Sequence, residues 1–254
     1  MTDATPTFRQ RLRERQPLVG TFFKTPSHQL VEVLAGAGLD FIVIDAEHAP
    51  FDRAALDPCL LAARAAGLPA LVRVAGVDGP EIQGALDLGA TGIVAPHARN
   101  AATVRRIGAA VRYRGGVRGF SNSPRAGGYG ATGMAEHIAC SDRDSVAVCQ
   151  IEDREAVEAI EAIAGMDEAD CLFIGRADLA VSYGVDDVGD PAVKEAVRTV
   201  CAAARSRGKA VGIHIGHMRE AQAYLDMGVS LFVVGSDQSL LRAAAAGLRF
   251  PASA

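Results

Sequence analysis

Short apolar runs alternate with amphipathic helical stretches from one end of the chain to the other, and this rhythm limits the possible folds more than any other feature. The apolar runs fall at 18–23, 41–45, 70–74, 92–95, 146–151, 171–175, 210–213 and 231–235. Most are nearly unbroken Val, Ile, Leu and Phe, the pattern of strands covered on both faces. Helical periodicity occupies 29–37, 53–66, 81–88, 101–111, 155–163, 192–206 and 218–227. Gly38, Gly67, Gly208 and Gly228 follow four of these stretches and supply the left-handed conformation that ends a helix. Strand–helix alternation implies a parallel sheet. Eight such units in 254 residues predict a (β/α)8 TIM barrel as a single domain over 1–254. An open doubly wound sheet stays the alternative, because periodicity does not report closure.

Composition removes several function classes. Hydrophobic residues make up 49% of the chain, enough for a large core, so global disorder is excluded. Lys+Arg number 26 against 30 Asp+Glu, for a net charge of −4, and a dedicated nucleic-acid binder would show a basic footprint instead. No apolar run approaches the roughly 18 residues of a membrane span. Residues 1–16 are polar and rich in Arg, without the apolar segment of a secretory signal. The five cysteines are scattered, odd in number and free of any Cys-x-x-Cys, which predicts buried thiols in a reducing cytoplasm.

The chemistry should sit where polar residues end the apolar runs, since the loops at the C-terminal ends of barrel strands build the active site. The second run ends Asp45-Ala46-Glu47-His48, and the third carries Arg73 inside Leu71-Val72-Arg73-Val74. A buried cation is costly unless an anion meets it. The fifth run ends Gln150-Ile151-Glu152-Asp153 and the sixth Gly175-Arg176-Ala177-Asp178. Glu152 and Asp178, just past adjacent strands, can meet across a barrel mouth and suit a hard divalent cation. Taken singly, Arg73 needs only an acid partner, and the two acids need only cap the following helices. Four strand ends with complementary chemistry favour a site. The segment 114–144, with its glycines and clustered arginines, breaks the rhythm and reads as a functional loop in which Arg118 and Arg125 face an anionic substrate.

These motifs resemble the HpcH/HpaI aldolase family, the class II pyruvate aldolases acting on 4-hydroxy-2-oxo acids. The likeness rests on Asp45-Ala46-Glu47-His48-Ala49-Pro50, Val72-Arg73, Gln150-Ile151-Glu152 and Gly175-x-Ala177-Asp178-Leu179, with Arg118-Gly119 and Val234-Gly235-x-Asp237 in support. It implies His48 as catalytic base, Asp87 as the acid that raises its basicity, Asp45 as its companion in the motif, and Arg73 as stabiliser of an enolate. It also implies Glu152 and Asp178 as ligands of Mg2+, Mn2+ or Co2+, and Gln150, Ala177 and Asp178 as contacts to a bound 2-oxo acid. An aldehyde partner and a hexameric homo-oligomer are implied likewise, with no nucleic acid or membrane. The chain departs from the family at Arg176, where many relatives carry proline, a change expected to alter substrate preference.

Other signals carry less. Gly128-x-Gly130-x-x-Gly133 follows no apolar strand and reads as a loop rather than a dinucleotide site. His214 and His217 read as ordinary polar loop residues, and Arg9, Arg11, Arg13 and Arg15 as a solvated helix or frayed arm. Three competing functions are a Schiff-base aldolase using Lys24, a CoA-ester lyase of the citrate-lyase β-subunit type, and a non-catalytic oxo-acid-binding barrel.

Overall fold

The structure, a computed structural model, describes residues 5–77 and 79–248. The predicted domain span of 1–254 therefore has its first four and last six residues outside the described set. Eight parallel strands close a barrel in sequence order: β1 (Leu18–Phe23), β2 (Phe41–Asp45), β3 (Ala70–Arg73), β4 (Gly92–Ala95), β5 (Val146–Ile151), β6 (Cys171–Ile174), β7 (Ala210–Ile215) and β8 (Leu231–Ser236). The pairing of β8 with β1, Leu18 opposite Leu231, completes the ring and removes the open-sheet alternative.

Because side chains alternate across a strand, each apolar run feeds two cores. Outward residues such as Ile42, Ile44, Val72, Ile93, Ile151 and Ile213 pack against the helices in the larger cluster. Inward residues, among them Leu18, Phe41, Val43, Leu71, Val94, Val148, Cys171, Phe173, Leu231 and Val233, fill the barrel. Large and small side chains interlock there. A Cβ at Gly20 would lie 2.5 Å from the Phe41 carbonyl and 2.8 Å from its ring, so only glycine admits that ring.

Caps place the helix starts: Ser27, Asp52 and Asn100 accept hydrogen bonds from the amides three residues on. The predicted stretch 155–163 is divided at Ala159 into helices Arg154–Glu158 and Ile160–Ala164. Stretch 218–227 opens with a 3-10 turn, Met218–Glu220. Within 114–144, residues Met134–Asp144 form a helix that buries only His137, and this absence of an apolar stripe hid it from periodicity.

The N-terminal arginines correct an expectation. Helix Phe8–Arg13, closed by a Thr7/Gln10 capping box, drives Phe8 and Leu12 into the barrel interior, with the Phe8 ring 5.5 Å from that of Phe41. Arg9 and Arg13 pair with the buried Asp170 at 2.9 and 2.7 Å, and Arg11 pairs with Asp40 at 2.6 Å. This is a docked plug rather than a frayed arm, because two buried aromatic and aliphatic side chains fix it and the charges then find acids at the barrel floor.

Candidate active site

The inward positions at the C-terminal ends of the strands carry the polar residues. Asp45 and Arg73 are register partners on β2 and β3, so both side chains project into the mouth. Arg73 grips Asp45 side-on, Nε to Oδ1 at 3.0 Å and Nη2 to Oδ2 at 2.8 Å, with both residues buried. Two parallel charge-assisted bonds fix the guanidinium in one plane. Asp45 also accepts from the His48 amide at 3.1 Å and lies 3.2 Å from Lys24 Nζ. Burial alone would raise the Asp45 carboxyl; Arg73, the His48 amide and Lys24 outweigh it and hold the pKa below its ordinary value. Glu47, 3.3 Å from Arg73 Nε, goes the other way: burial raises it despite Arg73 and His48 nearby.

Of these groups Lys24, His48 and Arg73 face a cavity of about 490 Å3, lined also by Gln150, Arg176, Ala177 and Asp178, with Phe22, Phe173 and His214 as its ring-bearing walls. Of the two expected acids only Asp178 lines the cavity, and Glu152 lies close enough for their charges to interact. Glu152 is 3% exposed and Asp178 is exposed at the rim. Gly175 lies between backbone and carboxylate: a Cβ there would sit 3.0 Å from Glu152 Cβ and 3.1 Å from Oε2. Burial raises the Glu152 pKa; Gln150 and His97 oppose the rise, and the nearby charge of Asp178 adds to it. Gln150 Nε2 donates a very short hydrogen bond to Glu152 Oε2, while its own Oε1 is buried without a partner. Two carboxylates that repel each other beside an unsatisfied carbonyl oxygen form a donor set suited to a hard divalent cation. His97, absent from the sequence reading, stands at φ 52° with Nδ1 3.3 Å from Glu152 Oε1 and 3.0 Å from Asp153 Oδ2. The ligand atoms of His97, Glu152 and Asp153 lie within 4.8 Å of one another, which makes them a second set around the same buried carboxylate.

Other residues fall elsewhere. Asp87 does not touch His48 within this chain; it is buried at the end of helix Gly79–Asp87 and pairs with Arg118 at 2.9 Å. Arg118 and Arg125 correct the sequence reading, being buried structural ties rather than substrate contacts. Arg118 lies 4.4 Å over the Tyr113 ring, and Arg125 pairs with Asp57 at 2.7 Å and reaches the Leu88 carbonyl at 3.1 Å. His214 corrects it in the opposite sense. It is part of β7, whose inward positions run Ala210, Gly212, His214, and its ring meets Phe22 at 5.5 Å. Period-two counting from Ala210 would have found it. His217 caps the Met218–Glu220 turn and stays outside the cavity lining.

Charge concentrated on one mouth of a parallel barrel marks an enzyme, and the comparisons with known proteins give its class as a carbon–carbon lyase. The chain belongs to the HpcH/HpaI aldolase/citrate lyase family, whose profile matches residues 18–244. It is 31% identical over 239 residues to 5-keto-4-deoxy-D-glucarate aldolase of Shigella boydii serotype 18, covering 93% of this chain and 92% of that one. A crystal structure of a family member from Burkholderia cenocepacia J2315 is 34% identical, with a TM-score of 0.89 and coverage of 94% and 96%. The structure of citrate synthase SbnG is similar at 28% identity and a TM-score of 0.86, covering 95% and 96%.

Proposed function

We propose that this chain, as one barrel domain, catalyses reversible aldol cleavage of 4-hydroxy-2-oxo acids to pyruvate and an aldehyde with the help of a divalent cation, Mg2+, Mn2+ or Co2+. The observation that carries the reading is the Asp45–Arg73 fork, locked in register at the rim of a cavity shared with His48, Gln150 and Asp178. Glu152 and Asp178 would hold the cation, which when bound supplies Lewis-acid polarisation of a 2-oxo acid. His48 takes the proton of the C4 hydroxyl, the C3–C4 bond breaks, and its electron pair passes into the enolate of pyruvate as the aldehyde departs. Arg73 cannot rotate away from Asp45, so its positive charge is preorganised against the growing enolate charge. His48 then returns the proton to C3. Gln150, pinned by Glu152, orients the oxo acid.

Lys24 suits this reading better than a Schiff base, because its ammonium is paired with Asp45 and supplies charge rather than a lone pair. The named relatives make 5-keto-4-deoxy-D-glucarate the first substrate to test. The likeness to citrate synthase supports one second reading, carbon–carbon chemistry on citrate or a CoA ester, and turnover of citrate or malyl-CoA without pyruvate aldol activity would select it. Among the described residues no helix is long and apolar enough to cross a membrane, in keeping with a cytoplasmic enzyme. The exposed Leu240 and Leu241 on helix Asp237–Ala246 support burial in a homo-oligomer, proposed as a hexamer.

The test is an aldol screen with pyruvate, added metal and a panel of aldehydes. Glu152→Ala and His48→Ala are each expected to lower kcat by roughly 100-fold or more. Wild-type rates in both variants would place the chemistry elsewhere.

A further inference from the structure

The mouth of the barrel is chemically two-sided. Arg73, Gln150 and Asp178, the groups assigned to the oxo acid, come from β3, β5 and the segment after β6. The remaining arc, β7, β8 and β1, contributes His214, Gly235, Ser236, Ser239 and Lys24 to the same cavity. In the closed order of strands β7 lies opposite β3, so a molecule anchored at Arg73 and extending across the mouth meets His214.

His214 is held from several directions. Its carbonyl accepts two bonds from Arg176, Nε at 3.2 Å and Nη2 at 2.9 Å. Arg176 is itself fixed by the Tyr224 hydroxyl at 2.7 Å and by Glu220 at 3.2 Å. All four of these bonds run to protein groups, so Arg176, which also lines the cavity, anchors the end of β7. The His214 imidazole packs on Phe22 and shares the cavity wall with Gly235. Burial lowers its pKa, and the charges of Arg176, Lys24 and Arg73 lower it further despite an opposing pull from the Gly235 backbone, so the ring is neutral. In a neutral imidazole one nitrogen donates and the other accepts. Whichever nitrogen carries the proton, the other is a lone-pair acceptor, and the ring lines the cavity wall.

We infer that His214 is a specificity-determining residue that accepts a hydrogen bond from a hydroxyl on the aldehyde half of the substrate, beyond the C4 hydroxyl handled by His48. The preferred partners are accordingly hydroxyaldehydes rather than alkyl aldehydes. This rests on the pyruvate aldolase reading.

The experiment compares kcat/KM for glyceraldehyde and for butanal, each with pyruvate, in the wild type, His214→Leu and His214→Gln, with folding of the variants followed by thermal melting. Exchange of pyruvate C3 protons into D2O by the wild type tests the underlying reading separately. The wild type is expected to favour glyceraldehyde. The Leu variant should lose that preference by roughly 10- to 100-fold, since a site built for a hydroxyl discriminates by its unpaired acceptor. The Gln variant, which retains an acceptor oxygen, should keep most of it, and decides the matter if the Leu variant fails to fold. Equal preference in all three proteins, or a wild type that favours butanal, overturns the assignment. Absence of pyruvate exchange in the wild type overturns the aldolase reading and this assignment with it.

Discussion

Replacing Asp45 with Asn removes one charge at the centre of the site and leaves the shape nearly unchanged. The Asn oxygen can still accept from the His48 amide, but its amino group faces the Nε or Nη2 donors of Arg73, which now points a donor at a donor. Asp45 is 0% exposed and Arg73 7%, so the stranded guanidinium cannot be rescued by water without moving. Breaking a buried pair from one side costs about 3–5 kcal/mol. Lys24, released from the same carboxylate and partly exposed, offsets none of this. For a domain of this size, about 3 kcal/mol corresponds to a melting temperature lower by roughly 6–12 °C. The activity loss should be about 100- to 1,000-fold in kcat, because a preorganised charge is lost from the enolate. Differential scanning calorimetry and the pyruvate exchange assay measure the two effects. Acid adds a control. The folded Asp45 pKa lies below its unfolded value near 3.8, so its stabilisation is complete above that value and fades as pH falls below it. The gap in stability between wild type and variant must therefore narrow below about pH 4. In a double-mutant cycle with Arg73→Leu, the pair should cost less than the sum of its singles. An Asn variant that melts within 2 °C of wild type, to take a margin of about half a kcal/mol, and keeps its kcat would refute the claim that the fork organises the site.

Two further outcomes follow from neighbouring residues. Gly175→Ala places a methyl 3.0–3.1 Å from Glu152 and should weaken cation binding, read by isothermal titration, about 10-fold with little change in melting temperature; unchanged affinity would show that the carboxylate has room to shift. Asp87→Asn separates the two roles available to that residue. A tie to Arg118 predicts lost stability with kcat per folded enzyme retained, whereas a dyad with His48 predicts a lower kcat and an altered pH profile.

The strands were legible because burial on both faces keeps most of their positions apolar, and four of the eight begin and end where the apolar runs do. The site was legible wherever a charge intruded on such a run, as at Asp45, Arg73 and Glu152. His214 was not, since a histidine inside an apolar strand can serve a core as well as a cavity, and only the inward phase of β7 separates the two. His97 was hidden for a related reason. Its place beside Glu152 depends on a left-handed backbone turn after β4 that no residue type announces. Arg118 and Arg125 misled because a basic loop resembles an anion site until its partner acids, the buried Asp87 and the half-exposed Asp57, are known.

The helix that carries Phe8 and Leu12 adds a floor to a barrel already filled by its inward side chains. On the pyruvate reading, the two fragments then lie side by side at the other end, between Arg73 and His214 of one cavity. Neither blocks the other by depth, and product-inhibition kinetics would report which departs last.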